Sequence, residues 1–188
     1  ISKGDHGEAV IVPKDSVVRK VLALAIDPAN SNLLYAGIWT NATNALYISE
    51  DGGANWRLDK KIADDIKNIF IDPSSPRQKR TVFVTGNHSI ANKKNNKWVI
   101  HKVPVAMGLI SDVSGGYDKK RKAFILYAIS RNQEGKEAAV AALYSTTDGG
   151  YNWQNRQAGL SKFSKENTAA PELRTLATCA GNPEVVYV

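Results

Sequence analysis

The sequence predicts an all-β fold made of repeated four-stranded antiparallel units, and three observations predict it. First, one eight-residue motif occurs twice. Ser49-Glu50-Asp51-Gly52-Gly53-Ala54-Asn55-Trp56 and Thr146-Thr147-Asp148-Gly149-Gly150-Tyr151-Asn152-Trp153 both read Ser/Thr-x-Asp-x-Gly-x-x-Trp. Each follows a matching strand, Ala45-Leu46-Tyr47-Ile48 and Ala142-Leu143-Tyr144-Ser145. Second, a strand–turn–strand element recurs in phase with the motif. Third, helical periodicity is weak throughout, and its best candidate, residues 61–68, is short. A repeat of this kind is read before anything else, because it determines the whole architecture.

The second element begins with Leu24-Ala25-Ile26-Asp27-Pro28 and continues in Leu33-Leu34-Tyr35-Ala36-Gly37. It returns as Ile69-Phe70-Ile71-Asp72-Pro73 with Thr81-Val82-Phe83-Val84-Thr85-Gly86. A third copy reads Asp112-Val113-Ser114 with Phe124-Ile125-Leu126-Tyr127-Ala128, and a fourth Leu176-Ala177-Thr178 with Val185-Val186-Tyr187-Val188. Pro fixes φ and favours the turn, and β-branched and aromatic residues favour the strands. Two weaker motif copies lie between the strong ones. Residues 91–98 keep the Trp and the Asn-rich turn, and residues 5–10 keep Asp and Gly. Asp5, Asp51, Lys93 and Asp148 then occupy equivalent positions, about 42 to 55 residues apart, the length of one four-stranded propeller blade.

The fold class is therefore a β-propeller of four-stranded antiparallel blades with Asp-box hairpin turns. One domain, residues 1–188, holds the end of a blade at 1–13, whole blades at about 17–60, 65–104 and 108–157, and the start of another at 172–188. A closed propeller takes roughly four to eight blades, so the ring is expected to be incomplete. Its open blade faces are to be covered by the remainder of the propeller or another chain.

Each motif residue has a structural task. The carboxylates of Asp51 and Asp148 can accept backbone N–H groups that a tight turn leaves unpaired. Gly53 and Gly150 can take positive φ. Ser49 and Thr146 tie the turn to its strand, and Trp56 and Trp153 bury a ring against the sheet.

Composition limits the functional classes. At 43% hydrophobic and 23% charged the chain reads as soluble and globular, with no apolar run of the roughly 18 residues needed for a membrane span. The net charge of +7 is spread over short basic bursts at 57–61, 77–80, 93–97 and 119–122. Each is expected to be a solvated loop, and no nucleic-acid face is predicted. The single cysteine, Cys179, excludes an intrachain disulfide and reads as a small core residue. His6, His88 and His101 lack metal-ligand spacing, and no phosphate loop, dinucleotide fingerprint or hydrolase elbow is present. No cofactor and no metal are expected.

This pattern resembles the Asp-box (BNR) repeat family of β-propellers, whose members include sialidases, xyloglucanase-like glycoside hydrolases, sortilin-type receptors and photosystem assembly factors. The combination of Ile-Asp-Pro, a Tyr-bearing second strand and Asp-Gly-Gly-x-x-Trp is most similar to secreted bacterial glycoside-hydrolase-like members. The resemblance implies an extracytoplasmic location, a glycan or protein partner, and a ligand end away from the Asp-box turns. On that end the loops include Asp64-Asp65, residues 106–112 and Trp39-Thr40-Asn41. Trp39 either stacks on a sugar ring or packs against a neighbouring blade. Glycoside hydrolysis needs two carboxyl groups flanking the bond, for which Asp64, Asp65 and Asp112 are the candidates. No Arg-Ile-Pro motif accompanies Arg19, Arg131 and Arg174, so no sialidase residue carries over. The leading expectation is a binding or scaffolding module. The alternatives are part of a glycoside hydrolase and an assembly factor.

Overall fold

The computed structural model describes residues 2–3, 9–10, 18–40, 43–131, 141–156, 173–179 and 182–188. Its strands are β1 (Ser2–Lys3), β2 (Ala9–Val10), β3 (Val18–Asp27), β4 (Asn30–Thr40), β5 (Asn44–Ser49), β6 (Arg57–Ile62), β7 (Asn68–Ile71), β8 (Val82–Thr85), β9 (Ser89–Lys94), β10 (Lys97–Lys102), β11 (Leu109–Asp118), β12 (Ala123–Arg131), β13 (Ala141–Thr146), β14 (Gln154–Asn155), β15 (Ala177–Cys179) and β16 (Asn182–Tyr187). They form three four-stranded sheets, ordered β3-β4-β5-β6, β7-β8-β9-β10 and β11-β12-β13-β14, and two-stranded sheets β1-β2 and β15-β16. Every strand–strand register described is antiparallel. The expected all-β class of four-stranded sheets is what forms. Residues 61–68, the best helical stretch by periodicity, instead complete β6 and pass through a bend into β7.

The first turn of each four-stranded sheet is made by an aspartate at or just after the end of its first strand. Asp27 Oδ1 accepts the Ala29 N–H at 2.8 Å, Asp72 Oδ1 the Ser74 N–H at 2.8 Å, and Asp118 Oδ1 the Lys120 N–H at 2.8 Å. All three are buried. In the third sheet this residue is Asp118. The sequence reading placed the element at Asp112, which lies inside β11, because Asp118 is followed by Lys119 and not by the proline that marks the other two.

The chain divides into two compact units, residues 1–86 with 91–99, and residues 87–90 with 100–188. In the first, Leu33 and Tyr35 of β4, Leu46 and Ile48 of β5, and Ile62 of β6 pack with Ile71 of β7 and Val82 and Val84 of β8. The i, i+2 spacing puts these side chains on one face of each strand. Gly37 lets the strands close on Ile66: a Cβ there would stand 2.6 Å from the Ile66 Cγ2. In the second unit Ile125, Tyr127 and Ile129 of β12 pack with Leu143 of β13, Leu173 and Leu176.

Two basic bursts depart from the expected solvated loops. Arg80 is buried in a two-pronged ion pair with Asp27, with Nη2 2.9 Å from Oδ1 and a shorter Nε contact to Oδ2. It also donates to the Pro73 and Ser75 carbonyls. Lys93 is a buried β9 residue whose Nζ meets both oxygens of Asp59, at 2.9 and 2.8 Å. Both side chains are retained inside because a carboxylate faces them. Cys179 also departs from expectation: it is exposed. Its β15 neighbour Thr178 turns inward to Ser114 and the Gly115 carbonyl, so strand alternation turns Cys179 outward.

Candidate functional site

The two motif turns share one set of bonds. In the first, Ser49 Oγ donates to Asp51 Oδ1 at 2.8 Å and accepts the Gly53 N–H at 2.8 Å. Asp51 Oδ1 accepts the Asn55 N–H at 2.8 Å, and its Oδ2 accepts the Asn55 amide at 2.7 Å. In the second, Thr146 Oγ1 donates to Asp148 Oδ1 at 2.8 Å and accepts the Gly150 N–H at 3.0 Å. Asp148 accepts the Asn152 N–H at 2.9 Å and its amide at 2.8 Å. Gly52, Gly53, Gly149 and Gly150 all have positive φ, between 75° and 96°. The Trp indoles are half-buried, and each N–H closes its own turn, Trp56 on the Gly53 carbonyl and Trp153 on the Gly150 carbonyl. The indole thus acts through a hydrogen bond as much as through burial. Asn55 and Asn152 were legible as a repeat at the same offset, yet fell outside the motif as read.

These bonds bias both carboxylates toward the charged form. The Asn55 backbone and side-chain donors, then Ser49, hold Asp51 below the usual carboxylate range. At Asp148 desolvation opposes ionisation, but the Asn152 N–H, Thr146 hydroxyl and Asn152 amide outweigh it, and the pKa is again lowered. The third copy is built differently. Residues 93–98 make a two-residue hairpin in which Asn95 and Asn96 take φ of 50° and 61°, the conformation of a type I′ turn. The weakest copy, at Asp5, lies outside the described residues.

Trp39 is the next-to-last residue of β4, a strand residue and not the loop residue expected. Its register partners are Lys20 in β3 and Asn44 in β5. It is 40% exposed, and by alternation it shares a face with Tyr35 and Gly37. Asn44 Nδ2 donates to Asp65 Oδ1 at 3.1 Å. Thr40 closes the adjoining loop, its hydroxyl donating to the Thr43 carbonyl at 2.8 Å. Trp39 is thus an exposed ring near the end of β4, with Lys20 and Asn44 as its cross-strand register neighbours.

The candidate carboxylates are engaged within the chain. Asp64 Oδ1 accepts the Asp65 N–H at 2.9 Å, and its carboxyl group lies so close to Gly86 that a Cβ there would overlap it. Asp112 Oδ1 accepts the Val113 N–H at 2.9 Å, and Oδ2 takes the Thr175 hydroxyl and the Leu176 N–H, both at 2.8 Å. Asp112 therefore pins the 173–176 segment to β11. Arg131 joins the same contact, donating to the Leu173 carbonyl at 3.3 Å. Among the described residues no group of three or more His, Cys, Asp or Glu side chains is arranged to hold a metal. Among the described residues, no helix is long and apolar enough to cross a membrane.

No family model and no curated protein matches the chain. Solved structures do. An ancestral GH74 enzyme aligns over 85% of this chain at 16% identity with a TM-score of 0.60, and YCF48 bound to D1 peptide over 90% at 15% with a TM-score of 0.52. The fold is a β-propeller. A GH74 enzyme of Niastella koreensis is also similar, at 23% identity over 70% of this chain with a TM-score of 0.48. The chain spans 22%, 46% and 20% of the lengths of the ancestral enzyme, YCF48 and the Niastella enzyme respectively. Three four-stranded blades, fewer than the roughly four to eight of a closed ring, are consistent with an incomplete propeller.

Proposed function

We propose that residues 1–188 are one segment of an Asp-box (BNR) repeat propeller that binds or scaffolds a glycan or protein partner outside the cytoplasm. The observation that carries this reading is the exposed Trp39 with Lys20 and Asn44 as its cross-strand partners. An aromatic face offers a flat apolar surface, and the amine of Lys20 on the neighbouring strand is a polar group at the same register position. The bonds already made by Asp64 and Asp112 favour binding over glycoside hydrolysis, in which the acid and the base or nucleophile must both face the bond. YCF48, a structural neighbour, is bound to a peptide, which keeps a protein partner beside a glycan. The extracytoplasmic location rests on the family resemblance alone.

The test is a glycan-array and peptide-library screen of the full chain against Trp39→Ala. Loss of a wild-type signal in the variant supports a binding role for Trp39. Identical profiles, or any hydrolysis of β-glucans by the wild type, count against it.

A further inference from the structure

The turn between β11 and β12 consists of four consecutive basic residues, Lys119, Lys120, Arg121 and Lys122, and all four are exposed. Asp118 and Ala123, on either side of it, are register partners. The ends of the turn therefore stand about 5 Å apart, and four cationic side chains share one hairpin tip. Asp118 fixes the backbone of that tip. Its Oδ1 accepts the Lys120 and Arg121 N–H groups at 2.8 and 3.1 Å, and Lys122 returns the chain to β12 with a φ of 51°.

The four charges are not equally offset. Arg121 meets two carboxylates, Asp118 through Nε at 3.6 Å and Glu184 of β16 through Nη2 at 2.7 Å. Among the described residues, Lys119, Lys120 and Lys122 have no carboxylate partner. Three neighbouring ammonium groups repel one another in the free protein, and a partner with closely spaced anions replaces that repulsion with attraction. The rest of the hairpin narrows the choice of partner. β11 and β12 expose no large apolar side chain. A nucleic-acid strand finds no aromatic ring to stack on, and a protein or lipid surface finds no apolar anchor. The tip offers charge alone.

We propose that the tip formed by residues 119–122 docks a sulfated polysaccharide, whose sulfate groups are received by the ammonium groups of Lys119, Lys120 and Lys122. A lysine ammonium is a compact charge with three rotatable donors, which suits tetrahedral sulfate oxygens arriving from several directions. Three cations on one four-residue tip call for closely spaced anions. Sulfation can place more than one on a sugar ring, whereas a uronate places one. The glycan class rests on the function proposed above, but the tip shares no residue with the Trp39 surface, so each is tested by its own variant.

The experiment measures binding of fluorescein-labelled dextran sulfate to the full chain by anisotropy, with uncharged dextran of the same length as control. The tip variant Lys119→Gln/Lys120→Gln/Lys122→Asn removes the three unpaired charges, and Asn adopts the positive φ of position 122 at low cost. The charge control Lys79→Gln/Lys94→Gln/Lys97→Gln removes three exposed lysines elsewhere and lowers the net charge equally. Circular dichroism checks each fold, and Lys120→Gln alone, expected to weaken binding about twofold, serves if the triple tip variant does not fold. The expected result is saturable binding of dextran sulfate and none of dextran. The tip variant is expected to lose about tenfold in affinity and the charge control less than about twofold. The wild-type slope of log affinity against log salt is expected at about −2 to −3, as release of roughly three counterions requires. Absence of binding overturns the proposal, as does an equal loss in the two triple variants, which would assign the attraction to the net charge of +7. Tighter binding of polygalacturonate, poly-glutamate or a single-stranded oligonucleotide than of dextran sulfate rejects a sulfated glycan as the partner. Trp39→Ala is expected to bind dextran sulfate as the wild type does, which separates failure of this site from failure of the Trp39 reading; loss of that binding in Trp39→Ala overturns a site confined to the tip.

Discussion

Asp148 shows how much one side chain organises. Its carboxylate accepts a hydroxyl, a backbone N–H and an amide within a single turn. Asp148→Ala is expected to lower stability by about 1–2 kcal/mol, since the Asn152 N–H and the Thr146 hydroxyl lose their acceptor; urea denaturation measures it. Asp148→Asn keeps the shape and removes the charge. The folded pKa of Asp148 is depressed, so its contribution is complete above the unfolded carboxylate value of about 3.9 and is lost as pH falls through the folded pKa. The stability gap between wild type and Asp148→Asn is therefore expected to close on acidification below about pH 4, read from denaturation midpoints across a pH series.

Between strands, the β9–β10 hairpin and the Lys93–Asp59 pair are the elements that depart from the repeat. Asn96 holds a positive φ of 61°, which Asn and Gly adopt at lower cost than other residues. Asn96→Ala is expected to cost about 1 kcal/mol and Asn96→Gly nothing or less, by thermal unfolding. Lys93 on β9 reaches Asp59 on β6, both nearly buried. Lys93→Met strands a buried carboxylate and is expected to cost about 3–5 kcal/mol. Adding Asp59→Asn to Lys93→Met should restore most of the loss, because no uncompensated charge then remains. A double-mutant cycle in denaturant decides this, and simple additivity of the two changes would contradict it.

For the molecule as a whole, the three four-stranded sheets share a plan. An aspartate closes the first turn of each, and the second strands β4, β8 and β12 carry core residues. β4 carries the exposed Trp39 near one end, while Leu33 and Tyr35 nearer the other pack into the core of the first unit. Trp39→Ala is expected to abolish partner capture while leaving the denaturation midpoint within about 1 kcal/mol of wild type, because the ring is exposed and truncating it opens no core cavity. A large loss of stability would instead assign Trp39 to packing.

The all-β class and the turn chemistry of residues 49–56 and 146–153 were legible in the sequence because they are local. A hydroxyl, an aspartate, glycines and a tryptophan at fixed offsets meet wherever the hairpin forms. What only the tertiary structure decided depends on residues far apart in the chain. Asp112 reads as a loop carboxylate until Thr175 and Leu176 arrive to bond it. Lys93 reads as a solvated charge until Asp59 faces it from β6, and Arg80 does so until Asp27 meets it 53 positions away. Cys179 reads as core until Thr178 takes the inward side. In each case the sequence sets the side chain's chemistry. The partner that determines burial, charge and role is brought by strand pairing and sheet packing, and neither leaves a mark at short range.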